Sequence, residues 1–250
     1  MCTLHLDKIH ILLKYITIPI TQKRRRLLKI EDISCVRSNN LLFSNLSFGL
    51  EKGENLEVIG SNGSGKTSLL RCILGLVERD NGNIFWKEEK IEKARNIFVK
   101  SVFYQGHQLS LKNTFSVLEN LKFSHSAFNL SEKEILNSLT ITGLKDLASM
   151  PSSDLSMGQL KKLAISKWLL RDYELYLIDE PFTSLDEEGS NLVVEVINEL
   201  NSRGCSFLFT SHLSSKVNSK EILLDDFSCR SITILESSFE LEILMSFRMF

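Results

Sequence analysis

Apolar and polar side chains alternate along Leu28–Ser34 and again along Leu41–Leu50, and this period of two predicts a pair of half-buried strands. The pattern then changes. Leu56-Glu57-Val58-Ile59 is a short, largely apolar run ending at Gly60, and Ser68–Leu74 has helical composition and stops at Gly75, so the chain reads strand, glycine loop, helix. Asp80-Asn81-Gly82-Asn83 supplies turn residues ahead of the strand Ile84-Phe85-Trp86, which predicts a hairpin there. Val102-Phe103-Tyr104 is a further short strand. From Val117 to about Met150 the texture is helical, and Ser131 with Glu134 has the spacing of a capping box. Another helix is expected from Ser156, because Leu160, Leu163, Ala164, Trp168 and Leu169 or Leu170 recur at helical spacing while lysines take the other face.

Leu175–Ile178 is an unbroken apolar run between Glu174 and Asp179, the profile of a strand buried on both faces of a parallel sheet. Leu192, Val193, Val196, Ile197 and Leu200 then mark an amphipathic helix closed by Gly204, followed by a strand over Cys205–Ser211. Repeated strand–helix units predict an α/β fold with a mainly parallel sheet core. The opening strands form an antiparallel β-subdomain beside it, and a helical insertion covers about 113–172. The chain shows no internal repeat and no low-complexity segment.

With 250 residues, 43 % hydrophobic and 24 % charged, the chain is long enough for one large core, and collagen-like, disordered and disulfide-scaffold classes drop out. Lys and Arg number 30 against 31 Asp and Glu, a net charge of -1, so no overall basic field attracts nucleic acid and none is expected as a partner. The five cysteines are widely separated, without a C-x-x-C, and read as small buried apolar groups in a reducing compartment. No apolar run reaches the roughly 20 residues of a membrane-spanning helix. Met1–Ile20 is moderately apolar and runs into Lys23-Arg24-Arg25-Arg26, the reverse of the basic-then-apolar order of a secretory signal. Residues 1–27 are read as a poorly ordered leader, with an interfacial or targeting extension as the other reading. The domain is then expected over 28–227, with a tail at 228–250.

The chemistry begins at the glycine loop. Gly60-Ser61-Asn62-Gly63-Ser64-Gly65-Lys66-Thr67 satisfies G-x-x-x-x-G-K-[ST] between a predicted strand and helix, the context that motif requires. Its backbone N–H groups, with Ser68 just inside the helix, would cradle a phosphate chain at the positive end of the helix dipole. Lys66 would reach the β- and γ-phosphates, and Thr67 would offer its hydroxyl to Mg²⁺. The run Leu175–Ile178 delivers Asp179-Glu180 at its end, two carboxylates suited to different tasks. Asp179 would hold the metal ion and Glu180 would orient or deprotonate a water.

Leu155-Ser156-Met157-Gly158-Gln159 lies between these two motifs at the start of a predicted helix, and with it the chain resembles the ABC ATPases. The resemblance covers about Leu28–Leu213 and implies a P-loop NTPase of ABC type that hydrolyses ATP with Mg²⁺. It further implies a head-to-tail homodimer with two ATP molecules in the interface, where Ser156, Gly158 and Gln159 contact the nucleotide held by the other copy. Gln108 matches the glutamine of that family's Q-loop, a ligand of metal or water, with Gln105 the weaker competitor. Ser184-Leu185-Asp186 matches the loop that crosses the dimer interface, which places Asp186 there, and His212 matches the switch histidine at the γ-phosphate. His5, His10, His107 and His125 have no such match. Arg37 occupies the register where most members carry an aromatic residue against the adenine, and Phe43 lies too far along the next strand to replace it.

Within the family, Leu41–Phe48, Phe103–Gln108 and Asp179–Asp186 are similar to the ATP-binding subunits of haem exporters that serve cytochrome c maturation. That likeness implies separate membrane subunits as partners and a peripheral position on the cytoplasmic face of the inner membrane. It also implies work spent on haem delivery or on release of a haem-loaded chaperone, with no haem contact by this chain. Other ABC exporters, of lipid, peptide or lipoprotein, share the same engine, as do soluble non-transport members.

Overall fold

A computed structural model describes residues 26–128 and 130–228. The expectations for the leader and the tail fall on residues outside these, save at the boundary: the first strand begins at Arg26, and Leu27 is buried in it, two residues ahead of the expected domain start.

Two sheets form the framework. Strands β1 (Arg26–Arg37), β2 (Asn40–Glu51), β4 (Asn81–Trp86) and β5 (Glu89–Lys90) make an antiparallel sheet in the order β2-β1-β4-β5. Strands β3 (Asn55–Ile59), β6 (Val102–Gln105), β7 (Leu175–Ile178), β8 (Ser206–Ser211) and β9 (Lys220–Leu223) make a parallel sheet in the order β6-β7-β8-β3-β9. Helices α1 (Lys66–Ile73) and α2 (Ile91–Ser101) pack between the sheets with Leu69, Leu70, Ile73, Ala94 and Phe98 buried, while α6 (Glu187–Ser202) covers the other face of the parallel sheet through Val193, Val196, Ile197 and Leu200. The central strands β3, β7 and β8 are buried at every position. Burial on both faces of a parallel sheet accounts for the unbroken apolar run in β7.

Two departures from the sequence pattern have local causes. Asn81-Gly82-Asn83 lies inside β4 rather than in a turn, and the hairpin between β4 and β5 closes at Lys87 and Glu88, with φ of 50° and 73°. Such positive angles at both central positions suit the twist of a two-residue hairpin, and here they are adopted without the usual Asn or Gly. Gly82 is needed for another reason: at φ 87° a Cβ would sit 2.4 Å from the Glu31 carbonyl, where β4 passes the irregular part of β1. The second departure is α2, which the pattern does not announce because Ile97 and Val99 lie exposed among its polar residues.

The helical insertion contains α3 (Val117–Ser124), α4 (Glu132–Ile141) and α5 (Met157–Ser166), with a 3₁₀ turn over Lys167–Leu170 continuing α5. All three helices begin with a capping box, at Ser116 and Glu119, Ser131 and Glu134, and Ser156 and Gln159. Val117, Leu121, Ile135, Leu139, Leu155, Leu163 and Leu170 form its core. Lys167 does not join the other lysines on an outer face; it is 5 % exposed.

His125, at the end of α3, is also buried. Ser124 Oγ donates to the Leu121 carbonyl at 3.0 Å, so it accepts from His125 Nδ1 at 2.9 Å, and Nε2 is left without a hydrogen-bond partner. Burial, reinforced by the cations Lys167 and Arg171, holds the imidazole pKa down to about 4 from 6.5. The sign follows from linkage: the unfolded chain takes up this proton first, so the stability contributed by neutral His125 is complete above about pH 6.5 and is lost as pH falls towards about 4. Urea midpoints should therefore fall between about pH 7 and about pH 5, and less steeply in His125→Phe than in the wild type. Parallel slopes would remove His125 from the acid response.

Candidate functional site

The loop from Gly60 to Gly65 joins the end of β3 to the start of α1 with the glycines at the strained positions. Gly63 and Gly65 have φ of 82° and 104°, in the left-handed region, and the Gly65 Cα faces Leu42 and Phe43 so closely that a Cβ would stand 3.0 and 3.1 Å from them. Gly60 is packed as tightly, since a Cβ there would be 2.5 Å from Ser64 Oγ. The outer shoulder is tied to the far end of the fold: Asp225 accepts from Ser61 N–H and from Ser61 Oγ, each at 2.9 Å. Asn62 is exposed at the tip, and Ser68 is half-buried in the first turn of α1.

Lys66 is 5 % exposed, and the partners of its Nζ account for all three of its protons. It donates to the carbonyls of Gly60 at 2.8 Å and Ser61 at 3.1 Å, and to His212 Nδ1 at 3.3 Å. Because an ammonium only donates, His212 Nδ1 is the acceptor, so the ring carries its proton on Nε2 and gives it to Glu180 Oε1 at 2.9 Å. Lys66, His212 and Glu180 thus form one chain of polar contacts, with Lys66 Nζ itself 4.0 Å from Glu180 Oε1.

Glu180 stands just past β7 with φ at 54°, an uncommon conformation for a residue with a side chain. Its backbone N–H donates to Thr210 Oγ1 at 3.0 Å, and Thr183 Oγ1 donates to its Oε2 at 3.2 Å. The neighbouring Asp179 is 3 % exposed and accepts from Thr67 Oγ1 at 2.7 Å and from Thr210 Oγ1 at 2.8 Å. Thr67 and Asp179, separated by 112 positions, therefore meet as a pair of hard oxygen donors. Among the described residues no group of three or more His, Cys, Asp or Glu is placed to hold an ion. A divalent cation of the magnesium type suits a hydroxyl and one carboxylate when phosphate oxygens and waters complete its octahedron.

Several residues lie where the sequence pattern gave no hint. Glu57, in the middle of β3, is fully buried and accepts from Ser215 N–H and from the hydroxyls of Ser215 and Ser219. It anchors the segment that follows His212, a role hidden in a strand that reads as apolar. His107, which matched no motif, comes within 3.9 Å of Glu180 Oε2 while remaining exposed. Gln105 is buried, and its Oε1 accepts from Trp168 Nε1 at 2.9 Å, so it is bound into the framework and Gln108, exposed in the loop beyond β6, is the freer of the two.

Other expected contacts are not made within one copy of the chain. Ser156 caps α5, its Oγ accepting from Gln159 N–H at 3.2 Å while Gln159 Oε1 accepts from Ser156 N–H at 2.8 Å. The backbone N–H groups at this helix start are thus partly taken up by its own capping box, and Ser156 is exposed with Gly158 half-buried beside it. Asp186 likewise caps α6 through Gly189 N–H at 2.8 Å. Arg37 lies exposed at the end of β1, beside the turn Ser38–Asn39, and Phe43 is fully buried against the glycine loop, unable to offer a face to a base.

Comparison with known proteins identifies the family of the chain. A family model described as ABC transporter covers residues 43–183. The cytochrome c biogenesis ATP-binding export protein CcmA of Vibrio parahaemolyticus is 35 % identical over 188 residues, 74 % of this chain and 92 % of that protein. CcmA of Pasteurella multocida is 34 % identical over 187 residues, 74 % of this chain and 88 % of that protein. Among solved structures, a putative ABC transporter ATP-binding protein from Pyrococcus furiosus superposes with a TM-score of 0.71 at 24 % identity, covering 80 % of this chain and 98 % of its own. An ATP-binding subunit of an ABC transporter superposes with a TM-score of 0.65 at 27 % identity, covering 75 % and 80 %. The chain is therefore an ATPase and belongs to the ABC transporter family as an ATP-binding subunit.

Proposed function

We propose that this chain is the ATP-hydrolysing subunit of a membrane export complex that serves cytochrome c maturation, and that its work drives haem delivery or the release of a haem-loaded chaperone. The observation that carries the catalytic part is the contact chain Lys66–His212–Glu180 beside the pair Thr67–Asp179. The cargo rests on the likeness to the CcmA proteins, which are named as cytochrome c biogenesis ATP-binding export proteins.

The residues divide the reaction between them. The left-handed glycines turn the loop amides towards the phosphates, and Lys66 exchanges its carbonyl partners for β- and γ-phosphate oxygens. Thr67 and Asp179 would hold Mg²⁺, with Gln108 brought in from the loop beyond β6, and the bound ion would supply charge neutralisation to the phosphates. Glu180 takes a proton from the attacking water as its oxygen bonds to the γ-phosphorus and the bond to the β-phosphate oxygen breaks, giving ADP and inorganic phosphate. His212 gives its Nε2–H to Glu180, and the same donor turns to a γ-phosphate oxygen when ATP binds.

Ser156, Gly158, Gln159 and Asp186 act on the nucleotide held by the second copy of a head-to-tail homodimer; within one copy Ser156, Gln159 and Asp186 are engaged in their own helix caps. Arg37 lies at the adenine end and would stack by its guanidinium plane. No helix among the described residues is long and apolar enough to cross a membrane. The membrane passage belongs to separate subunits, and this chain sits on their cytoplasmic face, peripheral to the inner membrane. No haem and no nucleic acid contacts it.

The test is to deplete the protein and follow c-type cytochromes by haem-stained gels. Cytochromes should disappear, return with the wild-type chain and stay absent with Glu180→Gln. Cytochromes unchanged by depletion would assign the ATPase to a different exporter.

A further inference from the structure

The loop that carries Gln108 is held from both sides by one short turn. Trp168, in the 3₁₀ turn Lys167–Leu170, donates from Nε1 to Gln105 Oε1 at 2.9 Å, just before the loop. Lys167, its neighbour, donates from Nζ to the carbonyls of Leu109 at 3.0 Å and Ser110 at 2.9 Å, just after Gln108. Ser110 has φ at 52°, a left-handed conformation that a serine keeps only where its surroundings fix it. Beyond it, buried Asn120 accepts from Lys112 N–H at 2.7 Å and donates to the Lys112 carbonyl at 3.0 Å, so the far end of the loop is anchored separately on α3.

The turn that makes the first two contacts is the direct continuation of α5, the helix capped by Ser156. One rigid piece therefore carries Ser156 at its start and brackets Gln108 at its end. The ammonium is buried with two carbonyls as its partners, and burial lowers its pKa to about 8. Burying an amine is costly unless its hydrogen bonds are satisfied, and here the Leu109 and Ser110 carbonyls take two of them.

We propose that Lys167 is a positioning residue that clamps the Gln108 loop to the end of the Ser156 helix, so that the two are displaced together or not at all. The inference rests on the reading of Gln108 as a ligand of metal or water, and it gives that residue its mechanical link to the helix at the dimer face. Arginine keeps a cation with several donors at this position, methionine keeps the length without a donor, and glutamine keeps a donor too short to span both carbonyls.

The experiment uses the full-length chain, with amide hydrogen exchange over residues 108–112 and steady-state ATPase kinetics measured on each variant. Lys167→Met should raise exchange in that segment about tenfold or more and lower kcat about tenfold, with KM for ATP within about twofold, because a misplaced group costs the transition state rather than ground-state binding. Lys167→Arg should restore both readouts to within about threefold of wild type. If the methionine variant does not fold, Lys167→Gln takes its place with the same expectations. Unchanged exchange in the folded variant overturns the clamp, and raised exchange with wild-type kcat overturns its effect on the site. Gln108→Ala separates the two readings: raised exchange and lowered kcat in the Lys167 variant, with normal turnover in Gln108→Ala, keep the clamp and remove Gln108 from catalysis.

Discussion

Replacing Lys66 with alanine should reduce ATP hydrolysis at least about 100-fold, the scale expected when a group aimed at developing charge is removed from a water-poor site. The structure makes this residue hard to substitute. Its ammonium is buried under the glycine loop with three partners, at the head of α1 where a phosphate chain entering this loop would meet it. Without it, the carbonyls of Gly60 and Ser61 lose their donor, and His212 loses the contact that fixes its tautomer. The loss should therefore fall on nucleotide binding and turnover together, and equilibrium binding of a fluorescent ATP analogue with phosphate release on the same sample would separate them. Normal turnover would exclude the glycine loop as the phosphate site.

Glu180→Gln should separate binding from chemistry instead. Glutamine keeps the length of the side chain and can accept the His212 proton through its carbonyl oxygen, so the contact at 2.9 Å and the backbone bond to Thr210 survive. It cannot take a proton from water, and the loss of a positioned base lowers rates by about 100- to 10,000-fold. Bound ATP then persists, and the sandwich dimer, which hydrolysis would open, should accumulate on gel filtration with ATP and Mg²⁺. A variant that hydrolyses at the wild-type rate would move the base to another residue, with His212 at 2.9 Å and His107 at 3.9 Å from Glu180 the neighbouring candidates. A variant that binds ATP yet stays monomeric at saturation would overturn the head-to-tail dimer.

The two predictions differ because the site has two layers. Lys66 is enclosed and acts on whatever occupies the loop, whereas Glu180 stands at the rim in a strained conformation, with Thr183 and His212 aiming its carboxylate. Strain at a residue with a side chain, held by surrounding bonds, is where a catalytic group is expected to be fixed in advance of its substrate.

Much of this was written in local patterns. The glycine loop needs small residues at fixed spacing whatever surrounds it, so G-x-x-x-x-G-K-T was legible as residues 60–67 before any contact was known. The β7 run ending in Asp179-Glu180 was legible too, because a strand covered on both faces must be apolar along its whole length. The capping box at Ser131 announced a helix start for the same kind of reason, since the cap is a local hydrogen-bond pattern three residues long, and apolar spacing announced the helix from Ser156.

What the pattern could not supply depends on partners far away in the chain. The hairpin turn at Lys87–Glu88 has no turn composition, since its angles are imposed by the pairing of β4 and β5, while the glycine that looked like a turn is required by the closeness of Glu31. Glu57 and Lys167 resemble solvent-facing charges in a one-dimensional reading, yet each is buried, satisfied by hydroxyls and amides from beyond His212 in one case and by loop carbonyls 57 and 58 positions away in the other. The sequence alone therefore determined the elements, the phosphate loop and the kinds of groups available, because these obey spacing rules within a few residues. Only the tertiary structure decided that Thr67 meets Asp179, that His212 joins Lys66 to Glu180, and that Lys167 brackets Gln108, because a hydrogen bond across a hundred residues is set by how sheets and helices pack and leaves no periodic trace in the chain.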